Sequence, residues 1–147
     1  IEISKLFESA TILGSDVCEK ALKVAKKNNN QSNNKVNFIK SNWFSDIEGQ
    51  FDLIVSNPPY IPEGTKLEAS TLFEPKVALF SEETGLKDLK KIISEAINYL
   101  KINGALILEH GMGQSSELSS YMKKIGYKNI GTLNDLKDIN RFVYGYK

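Results

Sequence analysis

The sequence predicts a mostly parallel α/β sheet with helices on both faces and an antiparallel hairpin at one edge. Three observations carry this. Short runs of branched apolar residues alternate with stretches of helical spacing along most of the 147 residues, the pattern of strands joined by helical crossovers. The runs are short, and the one over Phe51 to Ser56 is rich in branched residues and stopped by prolines, as a buried strand is. The last two, Lys128 to Leu133 and Arg141 to Tyr146, have no helix between them and so read as neighbours running in opposite directions.

Taken in order, Ile3, Leu6, Phe7 and Ala10 fall at i, i+3, i+4 and i+7, the stripe of a helix packed on one side. Thr11 to Ser15 is a short strand ending at Asp16. Ala21, Leu22, Val24 and Ala25 mark a second amphipathic helix with Lys20, Lys23, Lys26 and Lys27 facing out. Asn28 to Asn34 reads as a polar surface loop. Val36 to Ile39 is the next strand, leading into Ser41-Asn42-Trp43-Phe44. Phe51 to Ser56 is an apolar run expected to be a buried strand. Ile61 to Glu83 has no period, and a connection that long is usually functional or mobile. Leu86, Leu89, Ile92, Ile93, Ala96, Ile97 and Leu100 form a strongly periodic helix, followed by a turn at Asn103-Gly104. Ala105 to Leu108 is a further strand, and Leu118, Tyr121, Met122 and Ile125 a helix stripe closed by Gly126. No internal repeat and no second domain are expected. The chain opens without Met inside helical spacing, so it is expected to be a piece of a longer protein.

The most informative stretch is Asn57-Pro58-Pro59-Tyr60. Its two prolines fix two φ angles and remove two N–H donors. Asn57 and Pro58 each precede a proline and are driven into extended geometry. At the end of a strand this makes a stiff ledge offering carbonyl oxygens, a carboxamide and an aromatic ring. Such a ledge suits a planar group bearing an NH2, whose hydrogens find acceptors while the ring covers its face. The competing reading is a plain turn, since Asn and Pro favour turns for local reasons.

Composition excludes several classes. Nineteen basic and 18 acidic residues leave a net charge of +1, so no overall field favours nucleic acid or a membrane surface. Arg141 is the single arginine, which argues against reading bases by bidentate arginine. The single cysteine, Cys18, excludes an intrachain disulfide and fits a reducing, cytoplasmic location. No run is long enough for a membrane span, and no signal-peptide pattern opens the chain. His110 is the only histidine and has no neighbouring Cys or His, so no metal site is expected.

In open α/β sheets, ligands bind beyond the carboxyl ends of strands, where Asp16, Asn42 to Phe44, Asn57 to Tyr60 and Glu109-His110 fall. Asp16 could accept hydrogen bonds from a ribose diol, and Gly14 could permit close backbone approach. Asp16 with Glu19 also reads equally well as a helix capping box. Trp43 and Phe44 could flank an adenine, or be plain core.

With these residues in view, the chain resembles the catalytic domain of the release-factor N5-glutamine methyltransferases, the HemK/PrmC family. The similarity runs through Ser41-Asn42-Trp43-Phe44, Ile54 to Ile61, Phe73-Glu74-Pro75 with Ala78-Leu79, and Leu108-Glu109-His110-Gly111 with Gln114. The resemblance implies a Rossmann-like, class I three-layer sandwich that uses S-adenosylmethionine. It implies methylation of the glutamine side-chain amide in the Gly-Gly-Gln motif of peptide chain release factors, with no direct nucleic-acid or membrane partner. Asp16 would take the ribose hydroxyls and Trp43 the adenine region. Asn57 would touch both cofactor and substrate, serving catalysis with Pro58 and Tyr60, while Pro58, Pro59 and Tyr60 would line the glutamine pocket.

Residues 1–147 would then be the later part of the catalytic domain. Relatives carry a first strand and a glycine-rich loop before the position of Ile1, and a helical domain before those. The missing strand would lie between the strands ending at Asp16 and Asn57, so this piece alone is expected to bind the cofactor poorly. Asn42 stands where relatives commonly have Asp, and Cys18 where they often have Ser. Two other functions compete: a DNA or RNA amino-group methyltransferase, and an inactive module that docks on release factor.

Overall fold

The computed structural model describes residues 1–31, 36–65 and 75–147. They form two compact units, Ile1–Glu48 and Gly49–Lys147.

In the first unit, helix α1 (Glu2–Leu6) precedes strand β1 (Ile12–Asp16), helix α2 (Glu19–Gln31) and strand β2 (Val36–Lys40). β1 and β2 pair in parallel, Ile12 opposite Val36 through Asp16 opposite Lys40. Gly14 lies opposite Phe38, and a Cβ at Gly14 would come within 2.9 Å of that ring. Its bareness therefore already serves strand packing.

Three sequence expectations change here. The 3-6-7-10 stripe is not packed: α1 buries nothing, and Leu6 and Phe7 are 77% and 56% exposed. A five-residue helix holds together only weakly by itself. The asparagine-rich loop is partly helix, since α2 continues to Gln31. Asn29 in its last turn is buried and exchanges hydrogen bonds with both backbone groups of Val36, donating at 3.4 Å and accepting at 3.3 Å. The carboxamide mimics a strand partner, which no apolar periodicity announces; residues 32–35 of that expected loop lie outside the described residues. The capping box does not form either. The Cys18 carbonyl accepts the first helical bond from Leu22, while Glu19 reaches across to Lys40 at 2.9 Å.

The second unit holds a four-stranded sheet in the order β3-β6-β8-β7, formed by Phe51–Ser56, Leu100–Glu109, Asn140–Tyr146 and Lys128–Asn134. β3 and β6 are parallel; β8 is antiparallel to both β6 and β7. The closing hairpin is thus as the sequence predicts. Strands β4 (Ile61–Pro62) and β5 (Phe80–Ser81) make a short parallel pair. Helices α3 (Lys76–Leu79) and α4 (Glu82–Gly85) flank β5, within the segment that showed no period. Phe73 and Glu74 of the expected motif lie outside the described residues.

Helix α5 (Lys87–Tyr99) buries Leu89, Ile92, Ile93 and Ala96, and α6 (Ser115–Ile125) buries Leu118 and Met122, the two predicted stripes. On β6, Leu106 and Leu108 point into the same core with Val143 of β8. Each fully buried Leu or Ile of this kind contributes about 1.5–3 kcal/mol. Gly126 ends α6 in the left-handed region at φ 112°, its N–H shared between the Met122 and Lys123 carbonyls, the glycine stop the sequence implied.

Strand β6 begins five residues before the predicted Ala105. Its register against β3 jumps from Phe51–Leu100 to Leu53–Ala105, so the expected Asn103-Gly104 turn survives as a bulge, with Asn103 at φ 65°. β3 is also less covered than its apolar run suggested. Leu53 and Val55 are 41% and 46% exposed, because β3 pairs with β6 alone among the described strands.

Candidate functional site

Within the first unit, Asp16 and Trp43 both lie at the carboxyl end of the β1–β2 pair. Ser41 is the tie between them. Its N–H donates to the Asp16 carbonyl at 3.2 Å and its hydroxyl to the Trp43 carbonyl at 2.8 Å, while Oγ accepts the Asp46 N–H at 3.1 Å. This pinned turn holds Trp43 at φ 55°. A left-handed backbone costs a residue with a Cβ roughly 1–2 kcal/mol, and such strain persists only where the surroundings over-determine it. Trp43 and Phe44 are both half-buried, so neither is plain core.

The Asp16 side chain is exposed; its Oδ1 accepts the Cys18 N–H at 2.7 Å. The second oxygen has no hydrogen-bond partner among the described residues. A carboxylate with one oxygen spent on its own turn and the other open fits a diol donor, and a half-exposed indole beside it fits a flat heterocycle. These two residues could hold a nucleoside. Nearby, the Lys40 ammonium hydrogen-bonds to Glu19 and holds the Glu19 carboxyl below the usual carboxylate range, while Lys40 itself titrates above its ordinary value. Both groups are on the surface, where such a pair adds little stability.

The ledge belongs to the second unit. β3 ends at Ser56, Asn57 is exposed, Pro58 is buried, and Pro59 and Tyr60 are half-buried. Pro58 anchors the ledge in the fold while the Asn57 carboxamide faces outward. That carboxamide makes no hydrogen bond to a described residue.

The far end of the ledge is fastened at two points. The Tyr60 hydroxyl donates to Glu109 Oε1 at 3.0 Å, and the Tyr60 carbonyl accepts from Gln114 Nε2 at 3.1 Å. The same Gln114 amide nitrogen donates to the Thr84 carbonyl at 3.1 Å, and Gln114 Oε1 accepts the Gly111 N–H at 2.8 Å. Gly85, at φ 82°, passes so close that an added Cβ would collide with the Tyr60 carbonyl oxygen. An open, shallow cavity of about 280 Å³ adjoins this cluster, with Tyr60, Thr84, Gly111, Gln114 and Arg141 among its walls.

Behind it, His110 is fully buried. Its N–H donates to the Arg141 carbonyl at 2.9 Å and its carbonyl accepts from Arg141 Nη1 at 3.4 Å. The ring Nδ1 lies 2.8 Å from the Gly111 carbonyl, which only accepts, so Nδ1 carries the proton. Nε2 is buried without a hydrogen-bond partner among the described residues. Asp135 supports Arg141 at 3.7 Å. Backbone N–H groups of Ile139 and Lys137 and the nearby guanidinium hold the Asp135 carboxyl below the ordinary range.

Sequence reasoning placed Glu109 at the carboxyl end of a strand and in a motif, named Gln114 only as part of that motif, and missed Thr84, Gly85 and Arg141 as neighbours of the ledge. Gly85 falls between the segment without a period, which ends at Glu83, and the helix stripe that opens at Leu86, so only a Thr-Gly pair could have pointed to it.

The comparisons with known proteins can be set beside this geometry. A methyltransferase domain model matches residues 1–142. Over 138 residues the chain is 41% identical to a protein of Pasteurella multocida named release factor glutamine methyltransferase, covering 91% of this chain and 46% of that one. A protein of the same name from Buchnera aphidicola is 38% identical over 139 residues, covering 92% and 50%. The chain therefore spans about half the length of these relatives. A methyltransferase of Pyrococcus furiosus, known from its crystal structure, superposes with a TM-score of 0.73 at 20% identity, covering 99% of this chain and 67% of that one, a likeness of fold. Matched from its first residue to residue 142, and folded as such domains are, the chain belongs to the methyltransferase domain family.

Proposed function

We propose that this chain is the later part of the catalytic domain of an enzyme that methylates the glutamine side-chain amide in the Gly-Gly-Gln motif of peptide chain release factors. S-adenosylmethionine is the methyl donor that the family implies, and it supplies an electrophilic sulfonium methyl. The observation that carries the reading is Asn57: an outward carboxamide without a hydrogen-bond partner among the described residues, heading a ledge that is anchored at Pro58 and fastened at Tyr60.

An amide nitrogen is a poor nucleophile because its lone pair is delocalised into its carbonyl. The enzyme's task is to hold that nitrogen still with its lone pair aimed. Asn57 Oδ1 and a backbone carbonyl at Pro58 accept the two amide hydrogens, and the Tyr60 ring packs on the amide plane. The Tyr60 carbonyl already accepts from Gln114, which favours acceptors at the start of the ledge for the substrate. Pro58 and Pro59 have no N–H that could compete for the substrate's oxygen. Orientation of this kind can remove roughly 7–11 kcal/mol of a barrier, and fixed dipoles add to it. As the new bond forms the nitrogen becomes acidic and gives up a proton to water, so no strong base is needed. In this reading Asp16 and Trp43 hold the nucleoside, and Asn57 also touches the cofactor.

The test is Asn57→Ala in the full-length protein, with methyl transfer to release factor followed by mass spectrometry. Turnover should fall by about 100-fold or more, with the melting temperature unchanged. Near-normal methylation by the variant, or transfer to nucleic acid in place of release factor, would overturn the reading.

A further inference from the structure

The Gln114 side chain joins three separate pieces of the second unit. Both its amide hydrogens are spent, one on the Tyr60 carbonyl and one on the Thr84 carbonyl, and its oxygen takes the Gly111 N–H. The bonds run from the first turn of α6 to the ledge after β3, to α4, and to the loop after β6. The sequence separations, 54 residues to Tyr60 and 30 to Thr84, make two of the three contacts long-range, while the bond to Gly111 is local.

We infer that Gln114 is a positioning residue: its carboxamide sets the height and tilt of the Asn57–Tyr60 ledge, and through it the placement of the amide to be methylated. Two features support this beyond the bonds themselves. Gly85 packs against the Tyr60 carbonyl beside Gln114, where an added Cβ would meet both the carbonyl oxygen and Gln114 Nε2, so the carbonyl has little room to move, and Gln114 supplies the donor there. The two prolines make the ledge stiff, so displacement at Tyr60 is transmitted to Asn57 with little damping. The inference rests on the proposed function for its kinetic consequence, but its structural part stands alone.

Two variants test it in the full-length protein. Gln114→Met keeps shape and removes all three hydrogen bonds; Gln114→Glu keeps the acceptor for Gly111 and removes both donors. Two readouts are followed: amide hydrogen exchange at Tyr60 and Ile61, and steady-state kinetics with release factor and S-adenosylmethionine. Both variants should exchange faster at those amides than the parent. Both should lose about 100-fold in kcat, the scale of a misplacement near 1 Å, with the KM for S-adenosylmethionine within about threefold. Unchanged exchange at the ledge, or a lowered melting temperature with parental kcat while folded, would overturn the inference. So would failure of both variants to fold, which would make Gln114 a residue of stability alone. If the parent methylates no release factor, the proposed function fails, and the exchange measurement still decides the role of Gln114.

Discussion

The hydroxyl of Tyr60 donates to Oε1 of Glu109 at 3.0 Å, across 49 residues of sequence. Tyr60 ends the ledge and Glu109 ends β6, so the bond fixes the ring of one strand's extension to the tip of its parallel neighbour. Both side chains are half-buried. A double-mutant cycle of Tyr60→Phe and Glu109→Ala should show a coupling of about 1 kcal/mol. The same cycle in kcat should be non-additive, because either change alone frees the ring. Additive effects would mean that the bond does not hold the ring.

Gly85→Ala should be among the most damaging small substitutions. The residue sits at φ 82°, and the new methyl would meet the Tyr60 carbonyl carbon and oxygen, which cannot swing away as a side chain could. Backbone strain and overpacking together should cost about 2–4 kcal/mol, read by denaturant titration. Methyl transfer should fall as well, since relief of the clash moves the ledge.

Tyr127 is buried, and its hydroxyl donates to the Ile93 carbonyl at 3.0 Å. Tyr127→Phe should destabilise the fold by about 1 kcal/mol. Burial pushes this phenol well above its ordinary value of 10.0. The folded state therefore holds its proton more tightly than the unfolded chain does. The stabilising bond is fully present below about pH 10, and stability declines as pH rises above that value. Tyr127→Phe should show a shallower alkaline decline in melting temperature than the parent.

Asp135 provides the acid-side counterpart. Its carboxyl titrates below the ordinary 3.8, with the Ile139 N–H as the largest cause. The sign is opposite: its contribution is present above 3.8 and fades as pH drops through the lowered value. Asp135→Ala should melt at a lower temperature than the parent at neutral pH. The two proteins should converge in acid, because the parent loses the same bonds by protonation.

The second unit was largely legible in the sequence, because its signals are periodic and local. Leu89, Ile92, Ile93 and Ala96 announce α5 by spacing alone, Gly126 announces the end of α6, and the closing hairpin follows from two apolar runs without a helix between them. The ledge was legible for a different reason: two prolines restrict the backbone whatever surrounds them. What the sequence hid was long-range. Asn29 reads as loop until Val36 is seen beside it. Gly14 reads as room for a ligand until the Phe38 ring is found against it. Gln114 gives no sign in its own segment of the two carbonyls it serves, since one lies 30 and the other 54 residues away.

The bare flank of β3 has a practical consequence. Its Phe51–Ser56 backbone is bonded on the β6 side only among the described strands, and Leu53 and Val55 lie open on one face. Neither proline nor lysine interrupts those six residues, so nothing discourages another β-segment from zipping onto them. Concentrated preparations of this polypeptide by itself should self-associate through that rim. A lysine in place of Val55 should keep them dispersed.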